Sequence, residues 1–365
     1  MTEGRVDALL SEGIERGFFA GAAAVVGGED GVLFERYVGD ARAEPASEKT
    51  SASRETLWDL ASLTKPIAGT ALVLALRDAG LLALSDPLGR FGDIFKKTRF
   101  DGVDLRRLLT HTAGLAAWYP CYVRGEGRTA YRKTLAAIDP EGKPGSMVRY
   151  SCPGFLLLAD VVETVAGETL DVSFRRRVAA PLGLSTDLLY LVEGKGASRA
   201  AGGERDDATE RRMTAERGLT YAGFRTGVVN GEPNDGNAYR RAGGVSLNAG
   251  LFGTARAVAA VGRAWLSRDP ALLQEASFAE ATADATPAFD EGRGLGWQLA
   301  RTPESAGSGL SPKAFGHTGF TGGSLFVDPD AARVFVLLSN RIHPDARPVD
   351  MNAFRRRFHE AALAL

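Results

Sequence analysis

Strand-like segments lie at both ends of this chain, and a helix-rich stretch fills the interval between them. That arrangement constrains the fold more than any other feature. Residues 22–26 and 32–38 are β-rich runs separated by Gly27-Gly28-Glu29-Asp30-Gly31, the composition of a hairpin turn. Far downstream, 296–300, 324–327 and 334–339 are again strand-like, the last two joined by Asp328-Pro329-Asp330. A helix over 5–17, with Val6, Leu9, Leu10 and Ile14 on one face, precedes the first strand, and a helix over about 350–363 closes the chain. Between them, 67–82, 105–109, 155–166, 170–179 and 255–266 carry helical periodicity, the last with Thr254 as its N-cap. Strands from both termini around a helical insertion predict an α+β fold, an antiparallel sheet flanked by helices with an inserted helical domain. The boundaries expected are 1–75 and 286–365 for the discontinuous sheet domain and 76–285 for the mostly helical one. Within the latter, 189–250 is rich in Gly, Arg and Asp with little periodicity, as in a functional loop forming one wall of a pocket.

Composition excludes several functions. At 365 residues, with 44% hydrophobic and 24% charged residues, the chain has ample core. A formal net charge of −1 supplies no field for nucleic acid or an anionic membrane. No apolar run approaches the roughly 20 residues of a spanning helix. The first residues lead into an amphipathic stretch rather than a basic segment and an apolar leader, so no secretory signal and a cytoplasmic location are expected. Cys121 and Cys152 have no metal-ligand spacing and are expected as free thiols. The four histidines, His111, His317, His343 and His359, form no HExxH pattern, so neither a metal nor an organic cofactor is expected. His111 reads as a structural residue hydrogen-bonded at a turn, and His343 and His359 as surface or interface residues.

The chemistry concentrates in Ser62-Leu63-Thr64-Lys65. Residues three apart on a helix share a face, about 5–6 Å apart at Cβ, so a lysine amine can reach the serine hydroxyl. A hydroxyl is a weak nucleophile without an adjacent base. Lysine serves as that base if burial or nearby cations lower its pKa toward neutrality. Ser62 is the only serine in the chain followed by lysine three residues later, and its apolar flanks would bury that lysine.

The segment 57–66, Leu-Trp-Asp-Leu-Ala-Ser-Leu-Thr-Lys-Pro, resembles the first motif of the serine β-lactamase and penicillin-recognising family, in its class C-related branch. Further segments match in order: 108–115, then Pro144-Gly145-Ser146 and Tyr150-Ser151-Cys152 (similar to a Tyr-x-Asn motif), Pro181-Leu182-Gly183-Leu184, Gly243-Gly244-Val245 with Ala249-Gly250-Leu251-Phe252, and His317-Thr318-Gly319 (similar to a Lys-Thr-Gly motif). The resemblance spans about 20–345. It implies a β-lactamase/transpeptidase-like fold, Ser62 as the acylated nucleophile, and Lys65 with Tyr150 as the proton relay. It also implies an oxyanion hole from the N–H groups of Ser62 and Phe320, and a substrate-facing strand edge at His317 and Gly319.

Two positions depart from the motifs. His317 stands where the family has a lysine that holds a substrate carboxylate, and a histidine is mostly neutral near pH 7. Cys152 replaces an asparagine whose amide both donates and accepts, which a thiol cannot do. Both departures favour an esterase acting on small acyl esters through a Ser62 acyl-enzyme, with a small-molecule substrate. The alternatives are a β-lactamase or D-Ala-D-Ala carboxypeptidase, and a catalytically inactive binding or scaffold member of the family.

Overall fold

The computed structural model describes residues 3–345 and 347–365. The two ends of the chain interleave in one seven-stranded antiparallel sheet. Its order is Thr50–Ser51, Val32–Arg42, Gly21–Gly27, Arg333–Ser339, Ser324–Asp328, Phe315–Thr318 and Gln298–Leu299. The N-terminal hairpin lies beside the last strand of the chain, with Ala22 opposite Ser339 and Val26 opposite Phe335. The central strands Gly21–Gly27 and Ser324–Asp328 are buried on both faces, which is why the first is apolar throughout and the second runs Leu325-Phe326-Val327 between its polar ends rather than alternating.

The period of two divides these side chains between two cores. Ala22, Ala24, Val26, Phe326, Phe335 and Leu337 pack against the terminal helices Glu3–Glu15 and Met351–Ala362. Ala23, Val25, Leu325, Val327, Val334 and Val336 face the other way, into the main core. There the helix Ala255–Ser267 covers the sheet, capped at its start by Thr254, whose hydroxyl accepts from Ala257 N at 3.2 Å. That helix lies inside the 76–285 stretch expected as a separate helical domain, yet it packs on the sheet with Val258, Val261 and Trp265 in the shared core.

The region expected to be an irregular loop, 189–250, differs from its reading. It holds a two-stranded ribbon, Gly202–Arg205 with Val228–Asn230, and the helices Ala208–Glu216 and Gly236–Ala242. These elements are three to nine residues long, too short to establish a periodicity. The helix expected over 67–82 is subdivided: a tight turn at Ala61–Leu63, a wide turn over Lys65–Thr70, then Ala71–Asp78. Among the described residues no helix is long and apolar enough to cross a membrane.

His343 and His359 correct their expected surface placement, since both are buried. Ala43 N donates to His343 Nε2 at 2.8 Å, joining the N-terminal hairpin to the segment after the last strand. His359 packs against the rings of Phe326, Phe335 and Phe358, with centroids 5.0–5.7 Å away. The partners that bury them lie on distant segments.

Candidate active site

Ser62 sits where a short strand ends and a helix begins. Trp58–Asp59 pairs with Leu251–Gly253, and the chain then turns sharply through Ala61, whose φ of 45° lies in the left-handed region. A side chain there stores strain of order 1–3 kcal/mol. Asp59 holds the turn in place: its Oδ1 accepts from Ala61 N at 2.8 Å and its Oδ2 from Asn234 N at 2.7 Å. Burial pushes the Asp59 carboxyl up to about 6.

One turn later Lys65 is fully buried. Its ammonium donates to Ser62 Oγ at 3.0 Å and to the backbone carbonyl of Asn248 at 2.7 Å. Asn248 is itself fixed by Ser246 Oγ, which donates to its Oδ1, and by Asp235 Oδ1, which accepts from its Nδ2. Cys152 stands where the family has an asparagine, and a thiol is a poor acceptor for the ammonium. A main-chain carbonyl 183 residues away fills that place, and no side-chain pattern announces it.

Tyr150 lies two residues before the helix Cys152–Ala166, and its hydroxyl donates to Ser62 Oγ at 2.6 Å. The extended Ser151 between them caps that helix, its Oγ accepting from Gly154 N at 3.2 Å. His111 grips the backbone on both sides of Tyr150. Its carbonyl accepts from Arg149 N at 2.8 Å, and its Nδ1 accepts from Ser151 N at 3.0 Å. Its ring also lies 4.8 Å from the Tyr150 ring. The structural reading of His111 thus acquires a definite object, the placement of the phenol. Cys152 Sγ is 3.9 Å from the Tyr150 hydroxyl, and both cysteines are free.

The protonation states follow from burial and charge. Burial works to discharge Lys65, but the Cys152 and Tyr150 groups oppose it and prevail, holding the amine above its ordinary value. This is opposite to the lowering expected from the sequence. Burial pushes Tyr150 up to about 12, against the pull of Lys65, and also pushes the Cys152 thiol up. Near pH 7 Tyr150 and Cys152 rest as phenol and thiol, and a Tyr150 that takes the Ser62 proton must first lose its own. Burial, together with Arg293 and Lys65, holds His111 and His317 well below the usual histidine range, so both are neutral.

Opposite Ser62, the strand Phe315–Thr318 runs into the turn Gly319-Phe320. A Cβ on Gly319 would stand 2.8 Å from Leu60 O, so only glycine lets this turn approach the nucleophile's turn so closely. The N–H groups of Ser62 and Phe320 donate to no acceptor among the described residues, leaving two donors for an oxyanion. Two arginines hold the turn. Arg355, buried on the last helix, donates through Nη2 to Gly319 O at 3.1 Å and Gly323 O at 2.9 Å, and Arg341 Nε donates to Phe320 O at 2.7 Å. His317 Nδ1–H donates to Thr318 O at 2.7 Å, leaving its buried Nε2 without a partner.

A cavity of about 470 Å³ opens over Ser62, Tyr150, His317 and Gly319, and Arg293, Arg341 and Arg355 line it. Arg293 is buried, bound through Nε to Glu291 at 2.7 Å, with Nη1 unpartnered. The sequence reading put a mostly neutral His317 where the family has a cation and missed these arginines, which lie outside the His317-Thr318-Gly319 motif. The site residues Ser62, Lys65, Tyr150, Cys152, His317, Gly319 and Phe320 are all gathered around one point.

The chain has relatives by sequence and by fold. The family model described as Beta-lactamase matches residues 6–360. A protein of Escherichia coli O157:H7, described provisionally as a D-alanyl-D-alanine carboxypeptidase, is 27% identical over 94% of this chain and 83% of its own length. An N-acetylmuramyl-L-alanine amidase of Bacillus subtilis (strain 168) is 28% identical over 93% of this chain and 81% of its own. Among solved structures, EstCE1, a hydrolase with promiscuous acyltransferase activity, superposes with TM-score 0.75 at 22% identity, covering 99% of this chain and 98% of the other. A penicillin-binding protein homologue from Caulobacter crescentus gives TM-score 0.76 at 22% identity, covering 100% and 97%. With that fold and a serine held between a lysine and a tyrosine, the chain belongs to the Beta-lactamase family of serine hydrolases.

Proposed function

We propose that the protein hydrolyses small acyl esters by a two-step mechanism through a Ser62 acyl-enzyme. The observation that carries this reading is the placement of Ser62 Oγ between Tyr150 OH at 2.6 Å and Lys65 Nζ at 3.0 Å. Once the cluster has lost a proton, Tyr150 takes the Ser62 proton as Oγ attacks the carbonyl carbon. The oxyanion forms against the N–H groups of Ser62 and Phe320, where one donor is worth about 100- to 1,000-fold in rate. The C–O bond then breaks as Tyr150 returns the proton to the leaving alkoxide. Water, deprotonated by the same phenolate, releases the acid and restores Ser62.

The arginines revise one expectation about substrate. Neutral His317 contributes no cation, but Arg293, Arg341 and Arg355, against the single carboxyl of Asp350, give the 470 Å³ cavity a net positive lining, which favours substrates carrying a carboxylate. That supports a second reading, a carboxypeptidase of the kind described for the Escherichia coli relative. A panel of a p-nitrophenyl ester, a chromogenic cephalosporin and a D-Ala-D-Ala peptide, run on wild type and Ser62→Ala, separates the readings. Ester turnover that disappears in Ser62→Ala is expected. Efficient cephalosporin or peptide cleavage without esterase activity would overturn the preference, and failure of a fluorophosphonate to label Ser62 in folded protein would favour the scaffold reading. A cytoplasmic location is part of the proposal, and cell fractionation tests it.

A further inference from the structure

A second cavity, of about 230 Å³, also borders Ser62 and reaches Tyr150, Cys152 and Phe320. Its character is the reverse of the arginine-lined one. Ala117, Trp118 and Met213 give it apolar walls, and its polar wall is built from carboxyl groups: Glu204, Glu210 and Asp235.

These carboxyls are not equivalent. Both oxygens of Glu210 are occupied, Oε1 accepting from Gly236 N at 2.9 Å and Oε2 from Tyr122 OH at 2.6 Å. Burial pushes that carboxyl up to about 8, so it is neutral near pH 7. Glu204 is only 2% exposed, and burial pushes its carboxyl up; its Oε2 accepts from Thr209 N at 3.1 Å, and no donor among the described residues reaches its buried Oε1. Asp235 Oδ1 accepts from Ala238 N at 2.7 Å and Asn248 Nδ2 at 3.0 Å, and no donor among the described residues takes up its Oδ2. Neither Glu204 nor Asp235 forms an ion pair among the described residues. Nearby Asp207, by contrast, is neutralised by Arg225 and Arg240. Two open carboxylate oxygens therefore border one cavity beside the nucleophile. A buried oxygen without a donor is costly, and a ligand that brings an N–H donor and a positive charge removes that cost. No group of three His, Cys, Asp or Glu among the described residues is placed to hold a metal ion, which leaves an organic cation as the fitting occupant.

We propose that this cavity is a cation subsite: it takes a primary or secondary ammonium carried by the substrate close to the scissile carbonyl, donating to Glu204 Oε1 and Asp235 Oδ2. The inference rests on Ser62 being the nucleophile and names the class of substrate for that site. With arginines lining one cavity at Ser62 and carboxyl groups lining the other, the substrate is an amine-bearing acyl compound that also tolerates an anion.

The test is competitive inhibition of p-nitrophenyl acetate hydrolysis by n-butylammonium, compared at fixed ionic strength with n-butanol, which has the same chain and no charge. A charged hydrogen bond in a desolvated site predicts that the ammonium inhibits roughly 10- to 100-fold more strongly. In Glu204→Gln and in Asp235→Asn that preference should fall toward one. Met213→Lys provides a second route if either carboxyl variant fails to fold: a tethered ammonium at the cavity wall should abolish butylammonium inhibition. Equal inhibition by the amine and the alcohol in wild type would overturn the proposal. So would a preference that survives in the folded carboxyl variants. Failure of the serine reading looks different: neither ester turnover nor fluorophosphonate labelling occurs, while calorimetric titration still reports whether butylammonium binds in preference to butanol.

Discussion

Tyr150→Phe isolates the relay. It removes one oxygen, the donor 2.6 Å from Ser62 Oγ, and leaves the ring in its contacts with His111 at 4.8 Å and His317 at 5.9 Å. The fold should lose no more than about 1 kcal/mol, the usual worth of one such hydrogen bond. Lys65 Nζ still lies 3.0 Å from Ser62, so the variant keeps a possible base but loses the group placed to return the proton to the leaving oxygen. A positioned general acid–base group is worth roughly 100- to 10,000-fold, or about 3–5 kcal/mol of barrier. The loss should fall at the large end for an alkyl ester, whose alkoxide must be protonated as it leaves. It should be smaller for an activated aryl ester, whose phenolate leaves unaided. The assay is the acylation rate on both esters, with thermal unfolding as the control for folding. In wild type, Tyr150 pushed up to about 12 and Lys65 held above its ordinary value predict that kcat/KM climbs about tenfold per pH unit between pH 7 and 9. A folded Tyr150→Phe within threefold of wild type on the alkyl ester would refute the assignment. A flat pH profile would refute the protonation states.

The remaining predictions concern the supports of the site. His111→Ala removes the acceptor for Ser151 N beside the relay tyrosine, and kcat should fall by roughly 10- to 100-fold with KM little changed; His111→Asn, which tolerates the positive φ and restores an acceptor, should recover part of it, and no rescue would count against positioning. Arg355→Met removes the guanidinium donor from the carbonyls of Gly319 and Gly323, each of which keeps one backbone N–H, costing about 1–3 kcal/mol in chemical denaturation and lowering kcat; an unchanged midpoint would contradict this. Glu210 sits at about 8 in the folded protein against 4.5 as its unperturbed value, so between those limits the folded state holds a proton that the unfolded state lacks. Its contribution is fully present below pH 4.5 and is lost as pH rises through 8, with a slope of at most about 1.4 kcal/mol per unit. Urea melts between pH 6 and 8 should flatten in Glu210→Gln, and an unchanged slope would remove Glu210 as the cause.

Local spacing determined a good part of this protein. The hairpin at Gly27–Gly31, the Thr254 cap and the Ser62–Lys65 pair all rest on neighbours within a few residues, and each is legible because helices and strands impose fixed periods. The resemblance of the ordered motifs added Tyr150 and the turn at Gly319-Phe320, which lie 88 and more residues from Ser62. Only the tertiary structure decided the rest. Whether a histidine is buried depends on what packs over it, so His343 and His359 were misread. Lys65 is held by a main-chain carbonyl, which every residue possesses, so no residue type could mark Asn248. The arginines of one cavity and the carboxyl groups of the other come from separate segments, brought to Ser62 by sheet pairing and by the short elements of 189–250. Bonding along the chain selects the nucleophile and its lysine, whereas the charge a substrate meets on either side is a sum over groups that only folding brings together.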